Sequence, residues 1–112
     1  MTTIFERVQT ALATLAPVPV SMDVFVTTGA LPDLFVVHTL IVSTPEQHAD
    51  NAETLRSYLV QVSIYSRDGL ASLPDVDAAM VAAGFMKGPF RNIPKDPETG
   101  HFGLAKDYIY TE

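Results

Sequence analysis

Two segments of the chain have the hydrophobic pattern of β-strands. Apolar and polar positions alternate along residues 57–66, which are rich in β-branched and aromatic side chains, as in a strand with one face on a core. One predicted face carries Tyr58, Val60, Val62 and Ile64, and the other carries Leu59, Gln61, Ser63 and Tyr65. Residues 35–43 are apolar on both faces. We therefore expect this second strand to lie inside a sheet rather than at its edge.

Two other segments have helical spacing. Apolar residues at steps of four, four and three predict an amphipathic helix over residues 3–16, with a capping box at its start. These residues are Ile4, Val8, Leu12 and Leu15, with Thr3 and Glu6 as the capping pair. Pro17 and Pro19 end this helix. Apolar residues return at helical spacing between Leu70 and Val81, which predicts a second helix ending near Gly84.

The remaining segments predict further strands. Residues 18–28 could form a short or edge strand, and residues 29–33 a turn. Phe85, Met86 and Phe90 suggest a strand that Gly88 and Pro89 interrupt, and a turn over residues 96–100 leads into a last alternating strand over residues 101–110. The chain of 112 residues has the length of one domain. We therefore predict a single domain over residues 1–112 of the α+β class, a mostly antiparallel sheet of about four strands with two helices packed on one face.

The most polar stretch joins the two central strands. Residues 43–54 are expected to form a loop of about a dozen residues, and long loops of this kind often carry function. Its candidate contact residues are Glu46, His48, Asp50, Asn51 and Glu53. The spacing of the acids around His48 superficially suggests a metal site, but no second cluster completes one, so we predict no metal.

Charge and composition narrow the classes of function. The net charge of −6 and the lack of a basic cluster argue against tight nucleic-acid binding, and the absence of cysteine excludes disulfides and thiol chemistry. The sequence contains no nucleophile elbow and no phosphate loop. Neither a signal peptide nor a run of apolar residues of membrane-spanning length is visible. We expect a protein that is not an enzyme and that needs no cofactor.

Four tyrosines lie on the predicted strands. Core and sheet packing is the ordinary role of tyrosine at such positions, and a protein interface is the functional alternative, because interfaces are enriched in tyrosine. The C-terminal residues Tyr108 and Tyr110 are the candidates for contact with a partner.

The order and spacing of these segments resemble a known family. The succession is a hydrophobic strand, Ala49-Asp-Asn-Ala-Glu53 in a polar loop, Val60-Gln-Val-Ser-Ile-Tyr-Ser66, and a helix closing on Ala83-Gly84-Phe85. Asp96-Pro-Glu-Thr-Gly100 and a last strand ending in aromatic residues follow. From about Phe35 onward the chain resembles the small tail-completion proteins of long-tailed, non-contractile bacteriophages and prophages, also called tail-to-head joining or tail terminator proteins.

The resemblance implies a structural role in the virion. Such proteins form a ring, typically a hexamer, at the head-proximal end of the tail tube after assembly in the host bacterial cytoplasm. The implied partners are further copies of the chain, the tail tube protein and the head–tail connector or stopper. DNA would pass through the lumen without specific binding, and no membrane is involved. The matching positions are residues 49–51 and 53 of the loop and residues 61–66 of the strand.

Two alternatives remain open at this point. A neighbouring neck component, such as a head–tail adaptor or stopper, shares the size and composition of a tail-completion protein. A small enzyme or ligand-binding α+β domain is the alternative from a different class.

Overall fold

The computed structural model describes residues 3–16, 18–23, 32–49, 52–71 and 73–111. They form two helices and one sheet with strand order β1-β2-β3-β5-β4. In chain order the elements are α1 (Ile4–Ala13), β1 (Val20–Met22), β2 (Leu34–Ala49), β3 (Ala52–Ser66), α2 (Val76–Ala82), β4 (Met86–Ile93) and β5 (Phe102–Thr111). The predicted α+β class is confirmed, although the sheet has five strands rather than about four.

Helix α1 begins as its sequence predicts. The Thr3 hydroxyl accepts a hydrogen bond from the Glu6 N–H, and the Glu6 side chain completes the capping box. The helix ends at Ala13, and residues 14–16 form a turn before the first proline instead of a last helical turn. Its apolar stripe is buried against the sheet through Ile4, Val8, Ala11 and Leu12.

Strands β2 and β3 form the centre of the core. They pair antiparallel, and the alternation predicted for β3 is confirmed, since Val60, Val62 and Ile64 are almost completely buried. Strand β2 is an interior strand, as predicted, because β1 pairs with it in parallel on its other side. The helices, β2, β3 and β5 meet in one hydrophobic cluster, so both helices cover the same face of the sheet.

The predicted polar loop between these strands is wrong. Strand β2 continues to Ala49 and β3 begins at Ala52, so most of the polar stretch is paired backbone in a long hairpin. Three register shifts interrupt the pairing, after Leu40, Pro45 and Gln47. Polar residues can form these strands because backbone hydrogen bonds need no apolar side chains. The register shifts also interrupt the alternation of apolar and polar residues on which the sequence prediction depended.

The outer part of this hairpin extends beyond the rest of the sheet. The last pair between β3 and β5 is Ser57 with Thr111, and in the described part of the chain no strand flanks residues 44–49 and 52–56. We call residues 44–49 and 52–56 the arm. The molecule is correspondingly long, with extents of 53 × 25 × 24 Å.

Helix α2 is shorter than the sequence predicts. It begins after Asp75, whose carboxylate accepts a hydrogen bond from the Ala78 N–H, and it ends at Ala82. Leu73 precedes the helix but still packs against the core. Gly84 follows the helix with φ +97°, the left-handed conformation that favours glycine after a helix.

The edges of the sheet differ in length. Strand β1 has three residues, so residues 18, 19 and 23 of the segment predicted as a strand are not part of it, and residues 24–28 lie outside the described residues. Strand β4 has eight residues, pairs antiparallel with β5, and shifts register between Lys87 and Phe90, at the predicted Gly88-Pro89 interruption. No helix among the described residues is long and apolar enough to cross a membrane.

Candidate interaction surfaces

Three of the five candidate residues of the polar stretch lie in the outer end of the β2–β3 hairpin. Glu46 and His48 lie on β2 and Glu53 lies on β3, where it pairs with His48. Asp50 and Asn51 lie outside the described residues. The chain therefore places the described candidates on the arm, away from the hydrophobic core.

The base of the arm is fixed by a polar contact across the hairpin. Arg56 Nη1 donates a hydrogen bond of 2.8 Å to the Ser43 hydroxyl oxygen on the opposite strand. This contact lies beside Ser57 and Tyr58, the last residues of β3 that pair with β5. The polar pair thus marks the point at which the four-stranded part of the sheet becomes a two-stranded arm.

Tyr108 has the packing role rather than the interface role. Its side chain is 1% exposed and lies in the core cluster between the sheet and the helices. Its hydroxyl donates a 2.5 Å hydrogen bond to Asp77 Oδ1 on α2. A partner cannot contact this ring without displacing α2, so Tyr108 is a core residue in this structure.

The Asp77 carboxylate joins α2 to the sheet. It accepts the Tyr108 hydrogen bond, and Lys106 Nζ lies 3.3 Å from its other oxygen. The Tyr108 hydrogen bond, followed by Lys106, lowers the pKa of Asp77. Burial and the neighbouring carboxylate raise the pKa of Tyr108 far above its ordinary value. The phenol therefore stays protonated at neutral pH, which suits a structural hydrogen bond and not an activated base.

Tyr110 is half-buried between Arg7 of α1 and Phe85, which follows α2. Its ring packs on Phe85 with centroids 5.0 Å apart, and the Arg7 guanidinium carbon lies 4.8 Å from the ring centre. A Cβ added at Gly84 would come within 3.3 Å of the same ring. Part of the Tyr110 side chain remains accessible, so its predicted role at an interface stays a prediction.

The largest exposed apolar side chains of the described residues lie on β4. Phe90 is 71% exposed and Met86 is 67% exposed. Met86 pairs with Ile109 of β5, and Phe90 pairs with Lys106 of β5. Lys106 lies on the same face of the sheet as the buried Tyr108, whereas Ile109 lies on the other face. Since adjacent residues of β5 alternate between faces, Met86 and Phe90 flank the edge on opposite faces of the sheet. Exposed apolar groups at a sheet edge are typical of interaction sites.

Basic side chains accompany these apolar residues. Lys87, Arg91 and Lys95 are all exposed, and residues 86–95 contain no acid. Arg91 donates a 3.1 Å hydrogen bond to Gln61 and lies 3.8 Å from the Asp107 carboxylate. We call residues 86–95 the β4 surface.

A cleft of about 260 Å³ lies beside the β4 surface, between β4, β5 and Asp77 in the first turn of α2. Phe90 and Leu104 supply its apolar walls, while Lys87, Lys106 and Asp77 supply its charges. Gly88 also lines it, and a Cβ there would lie 3.1 Å from the Asp107 carbonyl oxygen, so glycine permits the close approach of β4 to β5. The cleft can accept an apolar side chain beside a charged group.

The two described histidine side chains have structural partners. His38 is buried, and its Nε2 lies 2.7 Å from Gln9 Oε1 on α1. Burial lowers the pKa of His38, an effect that Asp23 partly opposes. His101 is 3% exposed, donates from Nε2 to the Pro32 carbonyl oxygen at 2.7 Å, and packs edge-on against Phe35.

The chemistry available in the described residues is limited. They contain no group of three or more side chains that could hold a metal ion. A second groove, of about 420 Å³, lies at the far end of the helix-free face, between Phe35, Tyr65, Pro97 and His101. The His101 Nδ1 atom has no partner but is closed off from solvent, so it cannot reach a ligand in that groove without movement of its neighbours.

The β4 surface was not among the sequence candidates. Its signal is present in the sequence, because three bases occur in ten residues without an acid on a chain that is acidic as a whole. The exposure of Phe90 and Met86 could not be inferred, since apolar residues in a strand are ordinarily assigned to the core. The contact of Asp77 with Tyr108 could not be inferred from the sequence either, because it depends on the tertiary packing of α2 against the sheet.

A scan against protein-family models and a search of the curated proteins both find no match to this chain.

Proposed function

We propose that this chain is a structural component of the head–tail joint of a long-tailed, non-contractile bacteriophage or prophage. In this role it caps the head-proximal end of the tail tube as a ring and joins the tail to the head. The order of its segments supports the proposal through the family resemblance described above. The function requires contacts with copies of the same chain, with the tube and with the connector.

The observation that carries this proposal is the presence of two separate surfaces suited to protein contact. The arm extends past the last pair between β3 and β5, and the β4 surface exposes Phe90 and Met86 on the edge strand β4. A ring is built from contacts between two different surfaces of each subunit, repeated until they close. A chain with one surface could form only an isologous pair.

The electrostatics are compatible with a channel for DNA. The net charge of −6 disfavours tight binding to phosphates, and the basic side chains of the β4 surface are too few to reverse it. DNA could then move through the lumen without being held. Another neck component, an adaptor or a stopper, would meet the same requirement and is the alternative assignment.

Localisation on the virion tests the proposal. Purified particles are labelled with gold-conjugated antibody against this protein, and antibody against the tail tube protein serves as the control. We expect gold at the junction of head and tail. Label on the capsid surface or at the distal tail tip, or virions that do not contain the protein, would contradict the proposal.

A further inference from the structure

The cleft beside the β4 surface lies on the helix-bearing face of the sheet. Lys87 pairs with the buried Tyr108, and Phe90 pairs with Lys106. Since residues that pair directly across two antiparallel strands project to the same side, Lys87 and Phe90 lie on the face that α2 covers at Tyr108. Leu104 lies on this face as well, two residues before Lys106 on β5. The cleft is therefore a feature of one face of the sheet, beside α2.

The size of the cleft suits one or two side chains rather than a whole small molecule. Its volume of about 260 Å³ lies below the roughly 300–1,000 Å³ that is usual for the sites of drug-sized ligands. The Phe90 side chain is exposed, and Leu104 is only partly buried. An apolar side chain placed between Phe90 and Leu104 would remove apolar surface of both from water, which is favourable.

The acids that line the cleft are already paired, whereas one of its bases is not. Asp77 Oδ2 lies 3.3 Å from Lys106 Nζ. Asp107 Oδ2 lies 3.8 Å from Arg91 Nη1. Lys87 is exposed and forms no ion pair among the described residues. The cleft thus offers an ammonium group without a direct partner, next to apolar walls, on a chain whose net charge is −6.

Nucleic acid and a second β4 strand both fit this cleft poorly. A phosphate backbone would meet the net charge of −6 and the two acids of the lining. A second β4 strand would bring further bases to Lys87, because residues 86–95 contain three bases and no acid. The bases of the cleft and of the β4 surface instead complement a segment that carries acids.

We propose that the cleft binds an extended, acidic segment of a different protein, with a leucine or phenylalanine side chain of that segment between Phe90 and Leu104. Residues two apart in an extended chain project to the same side, roughly 6.5–7 Å from each other. A glutamate two residues from the apolar anchor therefore faces the cleft as well, where it meets Lys87. The recognised pattern is an acid and a bulky apolar residue separated by one residue. This inference concerns the cleft alone and goes beyond the proposed place of the chain in the virion.

Binding of a labelled synthetic peptide tests the site. The peptide carries glutamate, leucine and glutamate at alternate positions with threonine between them, and fluorescence anisotropy follows its titration with the protein at low salt. A control peptide of the same composition has leucine directly between the two glutamates, so that the acids and the apolar side chain project to opposite sides. We expect the first peptide to bind about tenfold more tightly than the control, and its affinity to fall as salt is raised.

Substitutions in the protein test whether the peptide lies in the cleft. Phe90→Ala should weaken binding about tenfold, because it removes one apolar wall. Lys87→Gln should weaken binding about two- to fivefold at low salt, as expected for one exposed charge pair. Both side chains are exposed, so neither change disturbs the core. The matched controls are Phe5→Ala on the exposed side of α1 and Lys95→Gln outside the cleft, and both should bind the peptide as the unchanged protein does.

Several results would overturn the inference. They are a peptide that does not bind at the highest soluble protein concentration, equal binding of the two peptides, and variants Phe90→Ala and Lys87→Gln that bind as tightly as the unchanged protein. Tighter binding of a labelled oligonucleotide would assign the cleft to nucleic acid instead. Self-association in sedimentation velocity that Phe90→Ala abolishes, without peptide binding, would assign it to a second copy. None of these measurements depends on where the protein lies in a virion, so the proposed function can fail while the site stands, and the reverse.

Discussion

At the scale of single residues, burial separates the side chains that hold the fold from those available to a partner. Tyr108 shows the difference, because alternation placed it correctly on a strand face but did not show that α2 covers that face. Its hydrogen bond to Asp77 satisfies a buried hydroxyl and fixes the helix at the same time. His38 has the same role toward α1 through Gln9.

The pH dependence of stability should report on His38. Burial lowers its pKa in the folded protein, whereas in the unfolded chain it titrates near the ordinary value of about 6.5. As the pH falls below 6.5 the unfolded state therefore binds a proton that the folded state does not, and the free energy of unfolding falls. The loss can reach about 1.4 kcal/mol per pH unit and levels off below the folded pKa.

Urea unfolding between pH 8 and pH 5 measures this effect, with His38→Asn as the control that removes the titrating group. We expect the unchanged protein to lose stability more steeply than the variant over the acidic half of this range. Equal slopes would show that His38 is not held neutral by the fold.

At the scale of secondary-structure elements, the sequence predicted the helix ends that are set by capping interactions between neighbouring residues. The capping box placed the start of α1, and Gly84 placed the end of α2, because both features act within one turn of helix. The length of the β2–β3 hairpin was missed because three register shifts and polar side chains obscure its alternation. The placement of β5 between β3 and β4 depends on long-range pairing, which sequence period does not specify.

The pairing of β4 with β5 can be tested through Gly103. A Cβ at this position would lie 2.7 Å from the Ile93 Cβ, closer than two such atoms can approach. We expect Gly103→Ala to lower the free energy of unfolding by about 1–3 kcal/mol through overpacking. Chemical denaturation provides the measurement.

Removal of the opposing side chain provides the control for this prediction. Ile93→Gly alone is measured first, because glycine also lacks the Cβ that Gly103→Ala would meet. Gly103→Ala is then added in that background, where it should cost less than in the unchanged protein. An equal cost in both backgrounds would show that the close approach of Gly103 and Ile93 does not limit the packing of this hairpin.

At the scale of the whole molecule, the fold separates a compact core from surfaces that it leaves uncovered. Two helices and three strands, β2, β3 and β5, share one hydrophobic cluster, and the arm and the β4 surface lie outside it. The sequence predicted the α+β fold class and singled out the polar residues that lie on the arm. It did not predict the exposed edge strand β4, on which the proposed assembly depends. Exposure of Phe90 is a property of strand order, which leaves β4 without an outer neighbour among the described strands.

Interruption of the gene shows whether this chain joins tail to head, as proposed. A phage or inducible prophage that encodes the chain receives an early stop codon, and the lysate is inspected by electron microscopy. A plasmid copy of the intact gene provides the complementation control. We predict filled heads beside unjoined tails, some of abnormal length. Heads that leak their DNA beside finished tails of normal length would contradict tail completion and assign the chain to the connector or stopper, while intact infectious particles would contradict a role in the head–tail joint altogether.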